Sequence, residues 1–526
     1  MLLSACGGEA TATPPAAATT AATTAPAGGG TATTGAAAPT NTTAAAAPTN
    51  TTAAAAAPTA TTASSAGAPT ATTAAATGGA TATTSAAANP VTGTVASDYS
   101  KVGQELQNAI NGQYKGTKVT MFGPFGSQDE VKFNNSMKPF EDKTGITVAY
   151  ESSKEFETAI NVRVQGGSPP DIADFPQPGL MASIAKSGKV KDASKMTNPD
   201  WLKQNYNQGF LDAATVPDNT GAKILGGIFQ RVNAKGLVWY PKKAFDAAGY
   251  KVPTTWADLQ KLEQQIEADG DTPWCIGIES GTATGWPATD WTEQMMLRTT
   301  SLDNYDKWVA GTLPFTDPIV KNAVQQWSTI WFDPKMVYGG TKQIVTTNFG
   351  DAPKPMFQNP PKCWLMNQGD FITSFFQAIN PSLKAGVDYD FFPLPALNDQ
   401  YGAPVEFGGD IMTAFADRPE VRAVMQYFST FDGVKGWVQQ GGTNSPHKNA
   451  DLSAYPDQMS KEVAQTLINA KAVRFDGSDN MPGAVGSGTF WKAMTDYVSG
   501  SANLDQAMQE AQQGWTNVGV QATPTK

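Results

Sequence analysis

The sequence predicts an α/β fold with a parallel sheet and ligand loops at the carboxyl ends of its strands. Three observations lead there. From Lys118 onward, short apolar runs alternate with segments of helical spacing. The 428 residues after Asp98 hold every aromatic and every basic residue of the 526-residue chain. That length divides into two or three domains at about 100–200 residues each. The first 98 residues contain no Phe, Tyr, Trp, Lys or Arg and are mostly Ala, Thr, Gly and Pro. Such a stretch buries too little apolar surface to offset the entropy of ordering it.

The elements follow in order. Lys118 to Phe122 reads as a strand running into the turn-rich Gly123-Pro124-Phe125-Gly126. Asp129 to Thr144 has helical spacing, with Val131, Phe133, Met137 and Phe140 expected on one face and Gly145 as the stop. Ile146 to Tyr150 is a second strand, Lys154 to Val164 a second helix, and Pro170 to Phe175 a third strand entry. A helix from Leu180 ends by Gly188. Ile224 to Phe229 and Leu237 to Tyr240 read as strands, and Pro241 to Ala248 as a helix. Thr254-Thr255 opens another helix with a polar cap. Residues 275–279 are strand-like, with helices near 290–300 and 318–332. Pro419 to Phe431, Ser460 to Ala470, Phe490 to Ser499 and Leu504 to Trp515 complete the helices.

Residues 1–6 read as a processing remnant. Leu3-Ser4-Ala5-Cys6 resembles the bacterial lipobox, which makes Cys6 the expected lipidation site. The charged and apolar stretch expected ahead of it is missing, which reads as a start codon placed too late. Residues 7–97 read as a disordered Ala/Thr/Pro linker, with near-repeats around Pro39, Pro48 and Pro58 too short and polar for a solenoid. As flexible coil it spans roughly 55 Å, enough for a stalk, and equally a plain spacer.

Charge and counts exclude several classes. The 37 basic and 47 acidic residues give a net charge of −10, which argues against nucleic acid as a partner. No run of about 18 apolar residues reads as a spanning helix. The single histidine, His447, rules out histidine-rich zinc sites and most Ser-His-Asp arrangements; its expected role is to cap or line a loop. No cofactor fingerprint appears, and neither Asp269-Gly270-Asp271 nor Asp476 to Asn480 completes a calcium loop, so no metal and no cofactor are expected. Setting Cys6 aside leaves Cys275 and Cys363. An even remainder in an exported chain suggests one disulfide; two separate buried thiols are the alternative.

Five segments carry a family resemblance, in order over roughly 400 residues. They are Phe140 to Val148, Gly166 to Ile172, Val238 to Phe245, Pro253 to Leu259, and Met481-Pro482 with Phe490-Trp491 following. Together they resemble the carbohydrate-binding solute receptors of ABC importers, the maltose-binding-protein-like group of extracellular solute-binding proteins. Trp286-Pro287-Ala288-Thr289-Asp290-Trp291 and Ser445-Pro446-His447-Lys448-Asn449 are most similar to receptors for α-glucosides or oligosaccharides. The resemblance implies a two-lobe periplasmic-binding-protein fold, type II-like, with a ligand cleft between lobes. Lobe one is expected at 117–230 plus 404–435, and lobe two at 231–403 plus 436–520.

A sugar offers apolar C–H faces and a rim of hydroxyls, so its site needs flat aromatics beside polar acceptors and donors. Phe125 and Glu155 follow the first and second strands, and Gln177 lies between two prolines after the third. Trp286 and Asp290 sit in a Gly/Thr-rich stretch taken as a loop, expected to stack on a sugar and bind its hydroxyls. Gln368 and Asp370 match the family's loop after a lobe-two strand, though Phe371 and Ile372 follow where an aromatic contact is often a Trp. Gly409 lets backbone approach a ligand, next to Asp410. Asp479 is a hydroxyl binder before Met481-Pro482, and Trp491 aligns with a stacking Trp of the family.

The expected function is a lipid-anchored, monomeric receptor that captures a carbohydrate outside the cytoplasm and delivers it to the permease, with no catalytic residue. A receptor for a cationic solute is the first alternative, since aromatics beside acids also cage cations. A glycoside hydrolase using Asp290 and Asp479 is the second.

Overall fold

The computed structural model describes residues 95–448 and 450–520. Cys6, residues 1–6 and nearly all of the 7–97 linker lie outside the described residues. Among the described residues there are eleven strands: β1 (Lys118–Gly123), β2 (Thr147–Ser152), β3 (Ile172–Phe175), β4 (Thr215–Pro217), β5 (Lys223–Leu225), β6 (Ile228–Lys235), β7 (Leu237–Tyr240), β8 (Met366–Gln368), β9 (Asp390–Pro393), β10 (Val405–Ala414) and β11 (Val473–Phe475). No described helix is long and apolar enough to cross a membrane.

The first large sheet is mixed rather than parallel throughout. β2, β1 and β3 pair in parallel, as strand–helix alternation requires. β10 then runs antiparallel to β3 along one edge and antiparallel to β6 along the other. β11 pairs in parallel with the first half of β10. The second sheet sets β7 between antiparallel β8 and β9, and β4 and β5 form a separate pair. Residues 275–279, expected as a strand, make only isolated bridges through Trp274 and Glu279.

The helix Gln128–Thr144 shows how tertiary partners override spacing. Phe133, Met137 and Phe140 are buried as expected, but Val131 is 41% exposed while Lys132 is buried. Lys132 Nζ donates to Ser374 Oγ at 2.9 Å and to the Gly441 carbonyl at 3.0 Å. Those partners satisfy its ammonium and leave Val131 on the solvent side. Gly145 closes the helix in the left-handed region at φ 70°, where a side chain is disfavoured.

Buried apolar residues among those described fall into four separate clusters. The first runs from Tyr99 through β1, β2, β3 and β6 to the helix Pro419–Phe428. The second and third gather β7, the helices between 242 and 331, and the C-terminal helices. Trp437 and Phe475 belong to the first cluster, although both lie in the segment expected in lobe two. β11 is the reason, since its pairing with β10 draws that segment back to the large sheet.

The chain joins the first cluster ahead of β1. Tyr99, Val102 and Leu106 are buried there. Tyr99 Oη donates to Asp432 at 2.5 Å, and the Leu106 amide donates to Gln426 Oε1 at 2.8 Å. Cys275 and Cys363 are joined in a disulfide with Cα atoms 5.4 Å apart, 88 residues apart in sequence. The bond ties the segment after the helix Trp256–Ala268 to the strand region of β8.

In that helix, Glu263 is buried and accepts from Trp274 Nε1 at 2.6 Å. Burial pushes its carboxyl up to about 7 from 4.5, against that hydrogen bond. A raised acid gives stability below its unfolded pKa that is lost as pH rises through the folded one. Glu263→Gln keeps an acceptor and removes the charge. It is expected to leave unfolding free energy almost unchanged at pH 5 and to raise it by about 2–3 kcal/mol at pH 8, as read by urea denaturation.

Candidate functional site

One cavity of about 710 Å³ lies between the large sheet with its loops and residues 279–286, 348–354 and 371–379. Its floor is β6. Every residue of β6 is buried, and alternation puts Arg231, Asn233 and Lys235 on one face. All three line the cavity. The sequence reading missed them, yet the signal was present: three polar residues at period two inside a strand bounded by apolar neighbours.

Two cation-centred networks hold this floor. Arg231 donates through Nε to Asp410 at 2.6 Å and through Nη1 to Asp129 at 3.3 Å. Arg231 and Asp410 are register partners on antiparallel β6 and β10, and the register shifts directly after Asp410. An extra residue there re-aims the side chain. Gly409 has no room for more, since a Cβ would meet the Arg231 carbonyl at 2.8 Å. The guanidinium also lies over Phe125 and Trp437, 4.4 and 4.2 Å from their ring centroids. Burial opposes its charge, but Asp410, Asp129 and Asp174 raise its pKa further. Burial and the neighbouring Asp410 push Asp174 well above the usual carboxylate range. Tyr150 links the network to the first loop, donating to Asp174 at 3.0 Å and accepting from the Phe125 amide at 3.0 Å.

Lys235 stands among Asp290, Asp476, Asp479 and Glu406. It donates to Asp290 at 2.9 Å and to Asp476. Burial opposes its charge, but those four carboxylates hold it well above the usual lysine range. Asp290, Glu293, Glu406 and Asp476 bring carboxylate oxygens within 4.8 Å of one another, a donor density that the Lys235 ammonium neutralises. Asp476 is held low despite burial by Lys235. Burial pushes Asp290, Glu293, Glu406 and Asp479 up, so protons supplement the single lysine. Glu293 accepts from the Gly477 and Ser478 amides at 2.8 and 3.0 Å, which fixes the loop that carries Asp479.

The structure sorts the expected site residues. Phe125, Gln177, Trp286, Gly409, Asp410, Asp479 and Trp491 line the cavity. Glu155, Asp290, Gln368 and Asp370 do not. Glu155 is an exposed helix-capping position, and two residues on, a rotation of about 200°, Glu157 faces the cavity instead. Trp286 and Asp290 belong to the helix Trp286–Thr299, not a loop. One turn along that helix, Asp290 turns to Lys235 below the cavity. Gly285 opens the helix at φ 112°, where a Cβ would meet the Trp491 carbonyl at 2.2 Å; this close approach brings Trp286 and Trp491 to one wall. Gln368 spends its side chain on the Gly369 amide and its carbonyl on Trp239 Nε1. Asp370 is buried between Asn233 and Asn444, at 2.8 and 2.6 Å, and burial pushes it up to about 7; it orients Asn233 from behind. Trp491 is 2% exposed, and its Nε1 donates to Ser478 Oγ at 3.2 Å.

His447 is buried, with Nε2 at 3.1 Å from the Ser429 carbonyl and Nδ1 at 2.9 Å from Ser445 Oγ. Burial lowers its pKa to about 4, so it stays neutral in a structural role away from the cavity.

The two walls meet on both sides. Thr282 Oγ1 donates to the Lys154 carbonyl at 3.3 Å and to Glu157 at 3.4 Å, and Lys132 bridges to Ser374. Burial pushes Glu157 up to about 7. Two lining acceptors are buried without a hydrogen-bond partner, Asp129 Oδ1 and Gln177 Oε1, whereas Arg231, Lys235 and Asn233 are all engaged within the protein.

Comparison with known proteins places this geometry. Residues 126–435 match the family described as bacterial extracellular solute-binding protein. The chain is 42% identical over 409 residues to the osmoprotective compounds-binding protein GgtB of Synechocystis, covering 77% of this chain and 94% of that one. It is 39% identical over 409 residues to the alpha-glucosides-binding periplasmic protein AglE of Rhizobium meliloti, covering 77% and 88%. Among solved structures, the bacterial solute receptor AcbH, described as preferring β-D-galactopyranose, superposes with a TM-score of 0.64 at 18% identity, over 76% of this chain and 99% of that one. Maltose-bound MalE3 of T. maritima superposes with a TM-score of 0.58 at 15% identity, over 77% and 100%. The two-lobe fold is therefore that of maltose-binding-like receptors, and the chain belongs to the bacterial extracellular solute-binding proteins, the components of ABC importers that capture a solute outside the cytoplasm.

Proposed function

We propose that this chain captures a neutral, hydroxyl-rich solute, an α-glucoside or short oligosaccharide, and presents it to an ABC permease from a lipid anchor on Cys6. One observation carries the ligand class. The cavity wall displays unpartnered buried acceptors, Asp129 Oδ1 and Gln177 Oε1, while its cations are already paired. A ligand entering it must bring donors and gains nothing from negative charge. Trp286 and Trp491 supply flat apolar surface on the same wall, and the volume falls within the roughly 300–1,000 Å³ typical of ligand sites. The relative named for α-glucosides supports this reading.

We read the site residues as Phe125, Gln177, Trp286, Gly409, Asp410, Asp479 and Trp491, joined by Asp129, Glu157, Arg231 and Asn233. The lobes are read as expected from the sequence, with the return to lobe two moved past Phe475. The receptor acts as a monomer and performs no chemistry. Asp290, one of the two carboxylates a hydrolase would need, lies off the cavity in an ion pair.

Intrinsic tryptophan fluorescence of the full chain, titrated with disaccharides, methyl glucosides, a sugar phosphate and a betaine, tests this. Saturable change with neutral sugars, and none with the sugar phosphate or the betaine at tenfold higher concentration, is expected. A response to the betaine alone overturns the carbohydrate assignment.

A further inference from the structure

The cavity wall formed by the helix Ile372–Ile379 differs from the rest. Phe371, Phe375, Ala378 and Ile379 line the cavity, and their spacing of four, three and one places them on one helical face. The polar residues Thr373 and Ser374 are turned away, to the Asp370 carbonyl at 2.9 Å and to Lys132 at 2.9 Å. Phe349 joins the stripe, with ring centroids 5.0 Å from Phe375 and 5.0 Å from Trp286. Phe375 rests on Gly350, where a Cβ would meet its ring at 2.2 Å.

Most polar groups beside this stripe are engaged within the protein. Asn348 donates to Glu279 at 2.7 Å and accepts from the Gly350 amide at 3.0 Å. Lys354 pairs with Asp351 at 2.8 Å. The unpartnered acceptors, Asp129 Oδ1 and Gln177 Oε1, belong to the other wall. A second sugar ring laid along the stripe would give its C–H faces to the phenyl rings but find few partners for its hydroxyls beyond the exposed Lys354–Asp351 pair, at a desolvation cost for each hydroxyl left unpaired. A group without hydroxyls escapes that cost.

We propose that this stripe is an aglycone subsite: Phe349, Phe371, Phe375, Ala378 and Ile379 take an apolar substituent, an aromatic ring or short alkyl chain, linked through the glycosidic oxygen to the sugar ring held by the polar wall. The assignment rests on the carbohydrate reading above and deepens it. Lys132 holds the helix from the opposite wall through Ser374.

The test is calorimetric titration of the full chain with methyl α-D-glucopyranoside, phenyl α-D-glucopyranoside and a disaccharide panel, repeated with Ala378→Asp and Phe375→Ala. Ala378 is exposed, so a carboxylate there reaches solvent without disturbing the core. Phenyl glucoside is expected to bind about tenfold or more tightly than methyl glucoside, with that ratio falling toward one in both variants. Equal affinity for the two glucosides in the unmodified protein overturns the subsite and leaves the carbohydrate reading intact. Binding of a disaccharide but of neither glucoside also overturns it. Failure of every sugar in the panel overturns the carbohydrate reading itself.

Discussion

Lys235→Met is expected to cost about 3–5 kcal/mol of unfolding free energy at pH 8 and much less at pH 5. The lysine is the one cation among Asp290, Asp476, Asp479 and Glu406. Without it Asp476 loses the partner that holds it ionised, and all four carboxylates face one another in a buried space. The folded pKa values of Asp290, Asp479 and Glu406 rise further above the unfolded ones, and that of Asp476, no longer held low, rises as well. Stability is then retained at low pH, where each acid takes a proton, and lost as pH climbs through the raised values. Denaturant unfolding at the two pH values reads the difference directly. An equal cost at pH 5 and pH 8 would show that Lys235 acts by packing rather than charge. Adding Asp290→Asn to the variant removes one of the stranded charges and is expected to restore part of the loss at pH 8 only.

Trp286→Ala is expected to weaken sugar binding about 10- to 100-fold while changing stability little. Trp286 is half-buried, at the first turn of its helix, with its face on the cavity. Covering an aromatic face of this size contributes about 1.5–3 kcal/mol, which sets that range of affinity. Trp491 is a poorer probe. Being 2% exposed and bonded to Ser478, it serves the core as well as the cavity, and its replacement by Ala is expected to cost about 3–5 kcal/mol of stability. Binding titration and thermal melting of both variants separate the two roles. Unchanged affinity in Trp286→Ala, with the melt intact, would remove the stacking wall from the site.

The parts of this molecule that local rules govern were readable in its sequence. β1, β2 and β3 with their intervening helices follow from apolar runs, capping residues and glycine stops. β10 does not, because its pairing with β3 and β6 joins residues some 170 to 240 positions apart, and β11 in turn pairs only with β10; neither leaves a short-range trace. The same limit appears at Lys132, whose burial depends on Ser374 and Gly441. In the site, loop residues after strands were legible because turn chemistry marks them. Arg231 and Lys235 were passed over although their spacing at period two was there to read, because the expected strand stopped at Phe229 whereas β6 runs on to Lys235. Asp290 was misread for a related reason: Gly285 and Pro287 look like a loop, yet a glycine cap and a proline in the first turn are also how a helix begins.

The mooring of Tyr99 and Leu106 has a mechanical consequence. Asp432 and Gln426, which hold them, sit on the same side of the cleft as the large sheet. Traction on the chain ahead of Val95 is therefore delivered to one lobe alone. No line of force runs through the cavity or the bridging contacts at Thr282. Were the chain held from that end, the half built on the large sheet would be the fixed one, and the other could swing open to release its cargo without shifting the point of attachment.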